Sequence, residues 1–556
     1  MPPLRDPDDY ELVGRSSFDS ADNFDLDEND FESQLPTSKS HLLGHDLPLL
    51  GQLRNLLPIR VYRRIWRSSR NVLRRTRRRG SCCGRLSSRR VFVIVRALTV
   101  IIVLLAILTT VFSPSYTWLP KHYKKLRRAA LTSNKPGRIN PRNETVFIAA
   151  SIYDHGGHLA RGDWGHGIIG LIDLIGPENV FLSVYENDVV NEQALFALGE
   201  LEQRVKSNKS MVFEPHLVTD KLPHITIGKG KKRVKRTAYL AEVRNRALRP
   251  LDKMPDTRFD KLLFVNDVVF DPIDAAQLLF STNVNEDGHA QYRAACSVDF
   301  INPFKFYDTF ATRDLEGYSM GLPFFPWFSG AGNAESRNDV LAEKDAVRVR
   351  SCWGGMVAFD AKYFQKPKPP PQVEDPVEEP RAEDQAQEPR VEEREIDITP
   401  PGTGNSVARF RAEEDPYWDA SECCLIHADI QSQPTEESRD TGIYMNPFVR
   451  VAYHPDTLEW LPTTRRFERL YSIPHGILNH LVGLPWFNRR RAEIPGEVVD
   501  EKVWVADPKV GKGGSFQTVK RIASTGGFCG RRGLQVLVPE PKPGQKNWKN
   551  LPVPPT

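Results

Sequence analysis

From Val91 to Phe112 the chain is apolar apart from Arg96, Thr99, Thr109 and Thr110. A run of that length matches a helix across a bilayer, which needs about 20 largely apolar residues. Arg96 lies near one end, where its side chain can snorkel to the interface. A cleaved signal sequence fits poorly, since it would lie at the N-terminus and carry a shorter apolar core. Cations flank both ends of the run. Arg74, Arg75, Arg77, Arg78, Arg79, Arg85, Arg89 and Arg90 precede it, and Lys121, Lys124, Lys125, Arg127 and Arg128 follow. The excess before the run predicts a cytosolic N-terminus and a lumenal or extracellular body.

The net charge of +5 hides this segregation. Residues 1–47 are acidic and poor in apolar runs, and cannot bury enough surface to fold alone. The arginine block that follows could suggest nucleic acid, but it abuts the span, where anionic lipid is the nearer partner. No nucleic-acid partner is expected. Two sequons, at Asn143 and Asn208, agree with a lumenal body. Cys82 and Cys83 lie beside the span and are candidates for palmitoylation, with unmodified thiols an equal alternative. Beyond the span Cys296, Cys352, Cys423, Cys424 and Cys529 can form disulfides in an oxidising lumen, and the odd number leaves one over.

A folded body is predicted to begin near Asn143. Strands are expected over 146–152, 179–185, 224–227 and 261–270, with helices over 165–175, 193–205 and 238–251. That alternation argues for an α/β fold with a mostly parallel sheet and helices on both faces. Further strands are expected over 292–298, 355–359 and 448–453, and a helix around 423–427. The resulting plan is a cytosolic tail over 1–90, a span over 91–112 and a stem over 113–142. The body occupies 143–366 and 409–490, split by an acidic, proline-rich insert at 367–408, and 491–556 form a C-terminal extension.

In open α/β sheets ligands bind at the carboxyl ends of the parallel strands. Asp267 follows such a strand and is the candidate metal ligand, with a turn-capping Asx role as the competing explanation. Arg244 and Asn245 lie on the preceding helix and could reach a diphosphate or sugar, with a solvated helix face as an equal alternative. Tyr185 and Glu186 end the second strand, where a polar turn reads equally well. In Cys352-Trp-Gly-Gly-Met356, Trp353 offers a flat face for a sugar ring, while Gly354 and Gly355 allow close backbone approach; a core tryptophan is the alternative. Glu422, which also suits a helix cap, is the candidate to face an acceptor, and His454 could complete a metal shell.

Taken in order, these runs resemble one family. They are Val184–Asn187, Ala241–Asn245, Leu263–Phe270, Ala295–Asp299, Phe306–Asp308, Arg313-Asp314, Cys352–Ala358, Glu422-Cys423 and Asn446–Tyr453. The set is similar to the fungal α-1,3-mannosyltransferases that include the cryptococcal mannosyltransferase and the capsule-associated proteins (glycosyltransferase family sixty-nine). The resemblance implies a type II Golgi membrane enzyme with a GT-A-like fold, GDP-mannose as donor, a mannoside acceptor and a divalent metal, with Mn2+ the expected ion. Asp267 then stands where that fold keeps an Asp-x-Asp motif, although Asn266-Asp-Val268 holds one acid. An α-linked product from an α-linked donor means retention, so Glu422 need orient the acceptor rather than deprotonate it. The capsule-associated relatives leave a second reading, a non-catalytic lumenal factor for polysaccharide assembly or export.

Overall fold

The computed structural model describes residues 88–154, 156–186, 192–214, 219–227, 231–367, 407–431, 440–505, 514–538 and 547–555. The tail and almost all of the acidic insert lie outside the described residues. Ten strands form the central sheet: β1 (Val146–Ile152), β2 (Val180–Glu186), β3 (Asn208–Phe213), β4 (Lys261–Val265), β5 (Ala294–Asn302), β6 (Lys305–Phe306), β7 (Arg313–Asp314), β8 (Val347–Ser351), β9 (Met356–Asp360) and β10 (Ile443–Ala452). Their order is β3-β2-β1-β4-β9-β5-β10-β8-β7, with β6 hairpinned onto β5. β1, β2, β3 and β4 run parallel, as do β5 and β10, while β9 lies antiparallel between β4 and β5. The sheet is thus largely parallel, as expected.

Strand alternation puts successive side chains on opposite faces. Leu262 and Phe264 of β4 enter one core, and Leu263 and Val265 enter the other. Helix α3 (Asp163–Ile175) covers the second face, and α5 (Arg236–Lys253) covers the first through Tyr239, Leu240, Val243, Ala247 and Leu251. Burying a side chain such as Phe264 contributes roughly 1.5–3 kcal/mol. Helix α6 (Pro272–Ser281) starts where Asp271 Oδ1 accepts the Ile273 N–H at 2.9 Å and Pro272 presets the first turn.

Several expectations change. Helix α1 (Ser88–Phe112) contains the apolar run, and none of its best apolar window is buried. Residues 113–142 are not a free stem: Tyr116 and Tyr123 are fully buried, and α2 (Lys121–Thr132) packs on α6. Residues 224–227 pair with 231–234 in a separate hairpin, and β3 supplies the parallel edge strand in their place. Strand β4 stops at Val265, and the chain then crosses so that Val269 bridges Ala452. The C-terminal extension is integral to the body. Cys529 is bonded to Cys424, 530–532 pairs with 418–420, and Val536 is buried. Cys296 bonds Cys352, and Cys423 is the leftover thiol, buried.

Candidate active site

The carboxyl ends of β4, β5 and β10 converge on the turn 352–355. The Asn266 N–H donates to Gly355 O at 2.9 Å, and the Cys296–Cys352 disulfide ties the turn to β5. Gly354 and Gly355 hold positive φ of 56° and 72°. A Cβ at Gly354 would overlap Ser297 O, and one at Gly355 would lie 2.7 Å from Val268 Cγ1 and 3.5 Å from Asp299 Cβ. These glycines therefore let strands β4, β5 and β10 close around the turn. Their close approach is to protein, which corrects the expectation of a glycine floor under a ligand.

Asp267 is half-buried at this edge. Val269 and Ala452 exchange backbone hydrogen bonds of 2.7 and 3.1 Å in an antiparallel bridge. Two residues back from Val269 and two on from Ala452, that bridge brings Asp267 and the exposed His454 to one end of the sheet. A carboxylate oxygen with an imidazole nitrogen is a donor set that suits a divalent ion such as Mn2+.

Behind Asp267 runs a chain of buried contacts. Trp353 Nε1 donates to Asn266 Oδ1 at 3.2 Å, and the Arg244 guanidinium lies 5.1 Å from the Trp353 ring and 5.9 Å from the Phe410 ring. Arg244 Nη1 forms an ion pair with Glu422 Oε1 at the first turn of α8 (Glu422–Ile430). Burial alone would pull the guanidinium toward neutrality; Cys423, Glu422, Tyr453 and Asp267 outweigh it and hold its pKa above the ordinary value. Arg244, Glu422 and Asp267 thus belong to one electrostatic unit.

Trp353 is 1% exposed, so it is a core residue and not an open stacking face. The Glu422 carboxylate is committed to Arg244 rather than open to an acceptor. The Asn245 side chain clamps Phe410, donating to its carbonyl at 2.8 Å and accepting its N–H at 2.9 Å. The Glu186 carboxylate accepts the Asp154 N–H at 3.0 Å, and Asp154 in turn accepts the N–H groups of Leu159 and Ala160, which orders the loop after β1. Tyr185 lies two strands from β4, in a cavity of about 300 Å³ lined by Glu214, Arg246 and Lys253. Its hydroxyl donates to Glu214 and accepts from Arg246, and its pKa is pushed up to about 12 by burial and by Glu214. Both sequon asparagines, Asn143 and Asn208, are exposed.

Sequence reasoning missed Asp299 and Asp308 as site residues. Asp299 Oδ1 accepts the Asp308 N–H at 3.0 Å, and its Oδ2 accepts the Tyr453 hydroxyl at 3.1 Å. Burial, and next the charge of Asp308, raise the Asp299 pKa to about 7. The available signal was its place directly after the strand expected over 292–298, although β5 runs on to Asn302. Arg244 Nε is buried and has no hydrogen-bond partner among the described residues. His427 Nε2 lies 3.8 Å from Cys296 Sγ, but that sulfur is in the disulfide, and burial lowers the His427 pKa to about 4.

The chain matches the family of cryptococcal mannosyltransferase 1 over residues 145–429, just over half its length. No curated protein matches it. Among solved structures it is similar to mannosyltransferase PcManGT from Pyrobaculum calidifontis in complex with GDP-Man and Mn2+, at 13% identity and a TM-score of 0.24. That match covers 44% of this chain and 54% of the other, so the chain spans about half the length of the solved structure it matches.

Proposed function

The chain belongs to the cryptococcal mannosyltransferase 1 family, and from that premise we propose that it transfers mannose from GDP-mannose to a mannoside acceptor. We infer an α-1,3 linkage, retention at the anomeric carbon and assistance by a divalent ion. The observation that carries the reading is the Val269–Ala452 bridge, which sets Asp267 and His454 at the carboxyl end of a parallel strand. Asp267 and His454 are the residues that would hold Mn2+. The ion, when bound, neutralises charge developing on the leaving diphosphate.

The chain's own groups do the rest. Asn266 and Trp353 fix the strand end from which Asp267 projects. Arg244 is too deeply buried to clasp a ligand directly. It supplies positive potential behind Asp267, and Glu422 keeps that charge fixed in place; Glu422 is a positioning residue in this scheme. Asp154 and Glu186 shape the loop over the first two strands, where a nucleotide binds in sheets of this kind. We further propose that the body lies on the lumenal side of a Golgi membrane, anchored by α1; the excess of arginine before the span supports that orientation.

The test is incubation of the full chain with GDP-mannose and short α-mannosides, with the product linkage read by NMR. An α-1,3-linked mannoside supports the reading. A β-linked product overturns retention, and hydrolysis without transfer overturns the mannoside acceptor. Absence of turnover with every acceptor favours the assembly factor.

A further inference from the structure

Helix α10 (Ser472–Val482) is amphipathic in the wrong sense for a soluble surface. Its buried residues are polar: His475 Nε2 donates to Leu322 O at 3.1 Å, its Nδ1 accepts from Arg337 Nη1 at 2.9 Å, and Asn479 Oδ1 accepts the Leu322 N–H at 2.8 Å. Its outer face is mainly apolar, with the exposed His480 at one margin. Ile473, Ile477 and Leu481 recur every four residues and are 75%, 58% and 50% exposed, and Phe487 just beyond is 92% exposed. A stripe at that spacing is one continuous face, about 12 Å long. Exposed contiguous apolar surface marks a partner.

The span shows which partner. Helix α1 packs against the turn Glu468–Tyr471, which runs directly into α10. Within α1, the partly covered residues of its last turns are Ala106, Thr109 and Thr110, spaced as one face. The body therefore meets the span within roughly 10 Å of its end, at the level of the bilayer interface. Hydrogen bonds tie both this turn and the residues just after the span to the body. Arg450 of β10 bonds both Glu468 oxygens at 2.6 and 2.9 Å, the Ser115 N–H donates to Arg465 O at 3.1 Å, and Tyr116 OH donates to Val340 O at 3.1 Å. Trp118, exposed shortly after the span, is the residue type that favours this depth.

We propose that the apolar face of α10, together with Phe487, lies in the lipid interface beside the span, so that the body rests on the membrane in one fixed orientation. The occupant is lipid, and the proposal rests on α1 spanning the bilayer. An interfacial helix of this kind buries its apolar face among headgroups and acyl chains.

Spin labels placed in the full chain, reconstituted into phosphatidylcholine vesicles with Cys82→Ser and Cys83→Ser, test it. Labels go at Leu104→Cys in the span, at Ile477→Cys, and at Gln203→Cys on α4 (Glu192–Arg204), beside the far edge of the sheet. Accessibility to oxygen and to a water-soluble nickel chelate is compared at each site, with an unchanged thermal melt showing that the labelled chains are folded. The expected result is oxygen exceeding nickel at Leu104 and Ile477, and nickel exceeding oxygen at Gln203. A water-like label at Ile477 with a lipid-like label at Leu104 overturns the docking while leaving the span intact. A water-like label at Leu104 overturns both. Spin–spin broadening at Ile477 that grows with protein-to-lipid ratio would overturn it in favour of a second copy of the chain.

Discussion

Arg244 and Glu422, 178 positions apart, meet as an ion pair whose side chains are 1% and 2% exposed. One comes from the helix before β4 and the other from the helix that follows the acidic insert. The pair therefore joins the two parts of the body directly behind Asp267. Removing one partner of such a pair leaves a buried charge uncompensated, which costs about 3–5 kcal/mol. Glu422→Ala should lose that much stability in urea denaturation. Arg244→Met combined with Glu422→Leu should lose less than the two single changes added together. A Glu422→Ala variant within about 0.5 kcal/mol of the parent would show that the pair does not hold the body together.

The turn behind the site is intolerant of a single methyl group. Gly354→Ala combines left-handed backbone with overlap on Ser297 O. It should unfold the body or drop its melting temperature by many degrees. Gly199→Ala, in helix α4 with open space around it, should be neutral or raise stability by up to about 1 kcal/mol. Equal melting temperatures for the two variants would contradict the packing described for the turn.

Disulfide mapping distinguishes the cysteines. Non-reducing peptide maps should show Cys296 with Cys352 and Cys424 with Cys529, and Cys423 should alkylate only after denaturation. Cys529→Ser should cost about 2–5 kcal/mol. Rapid labelling of Cys423 in the native chain would contradict its burial.

Stability should carry a pH signature from Asp314. Burial lifts its pKa to about 7, against 3.8 for the free group. Between those values the folded state holds a proton that the unfolded state has lost, so stability falls as pH rises through that window. Asp314→Asn keeps an acceptor for the Glu316 and Tyr318 N–H groups and cannot ionise. Its urea midpoint should therefore decline less from pH 5 to pH 8 than the parent's. A parallel decline would remove Asp314 from the account.

Much of the sheet was legible because its strands announce themselves locally. Val146–Ile152 and Leu262–Val265 are short apolar runs, and α5 repeats its apolar residues about one turn apart. Strand β3 was not, since Asn208-Lys-Ser-Met-Val-Phe213 lies at an edge and shows little apolar alternation. The antiparallel sense of β9 is a tertiary property that no local pattern encodes. The site divides in the same way. The place of Asp267 follows from its strand, whereas the commitments of Trp353, Asn245 and Glu422 depend on partners distant in sequence. The C-terminal extension reads as a tail by its glycine, proline and lysine content. Yet Trp504, Phe528 and Val536 bury against the body.

The proposed ion makes His454 testable apart from turnover. His454→Ala should raise the Mn2+ concentration needed for half-maximal protection against thermal unfolding by at least about 10-fold. An unchanged midpoint would exclude His454 from the ion's shell.

The most direct measurement follows labelled mannose from GDP-mannose to an α-mannoside by the full chain, with Mn2+, with a chelator, and with Asp267→Ala. The account predicts transfer that disappears with the chelator, returns when Mn2+ is restored, and falls on the order of 100-fold or more in the variant. Transfer that persists through both the chelator and the substitution would contradict it, and would move the diphosphate's charge partner to arginine or lysine.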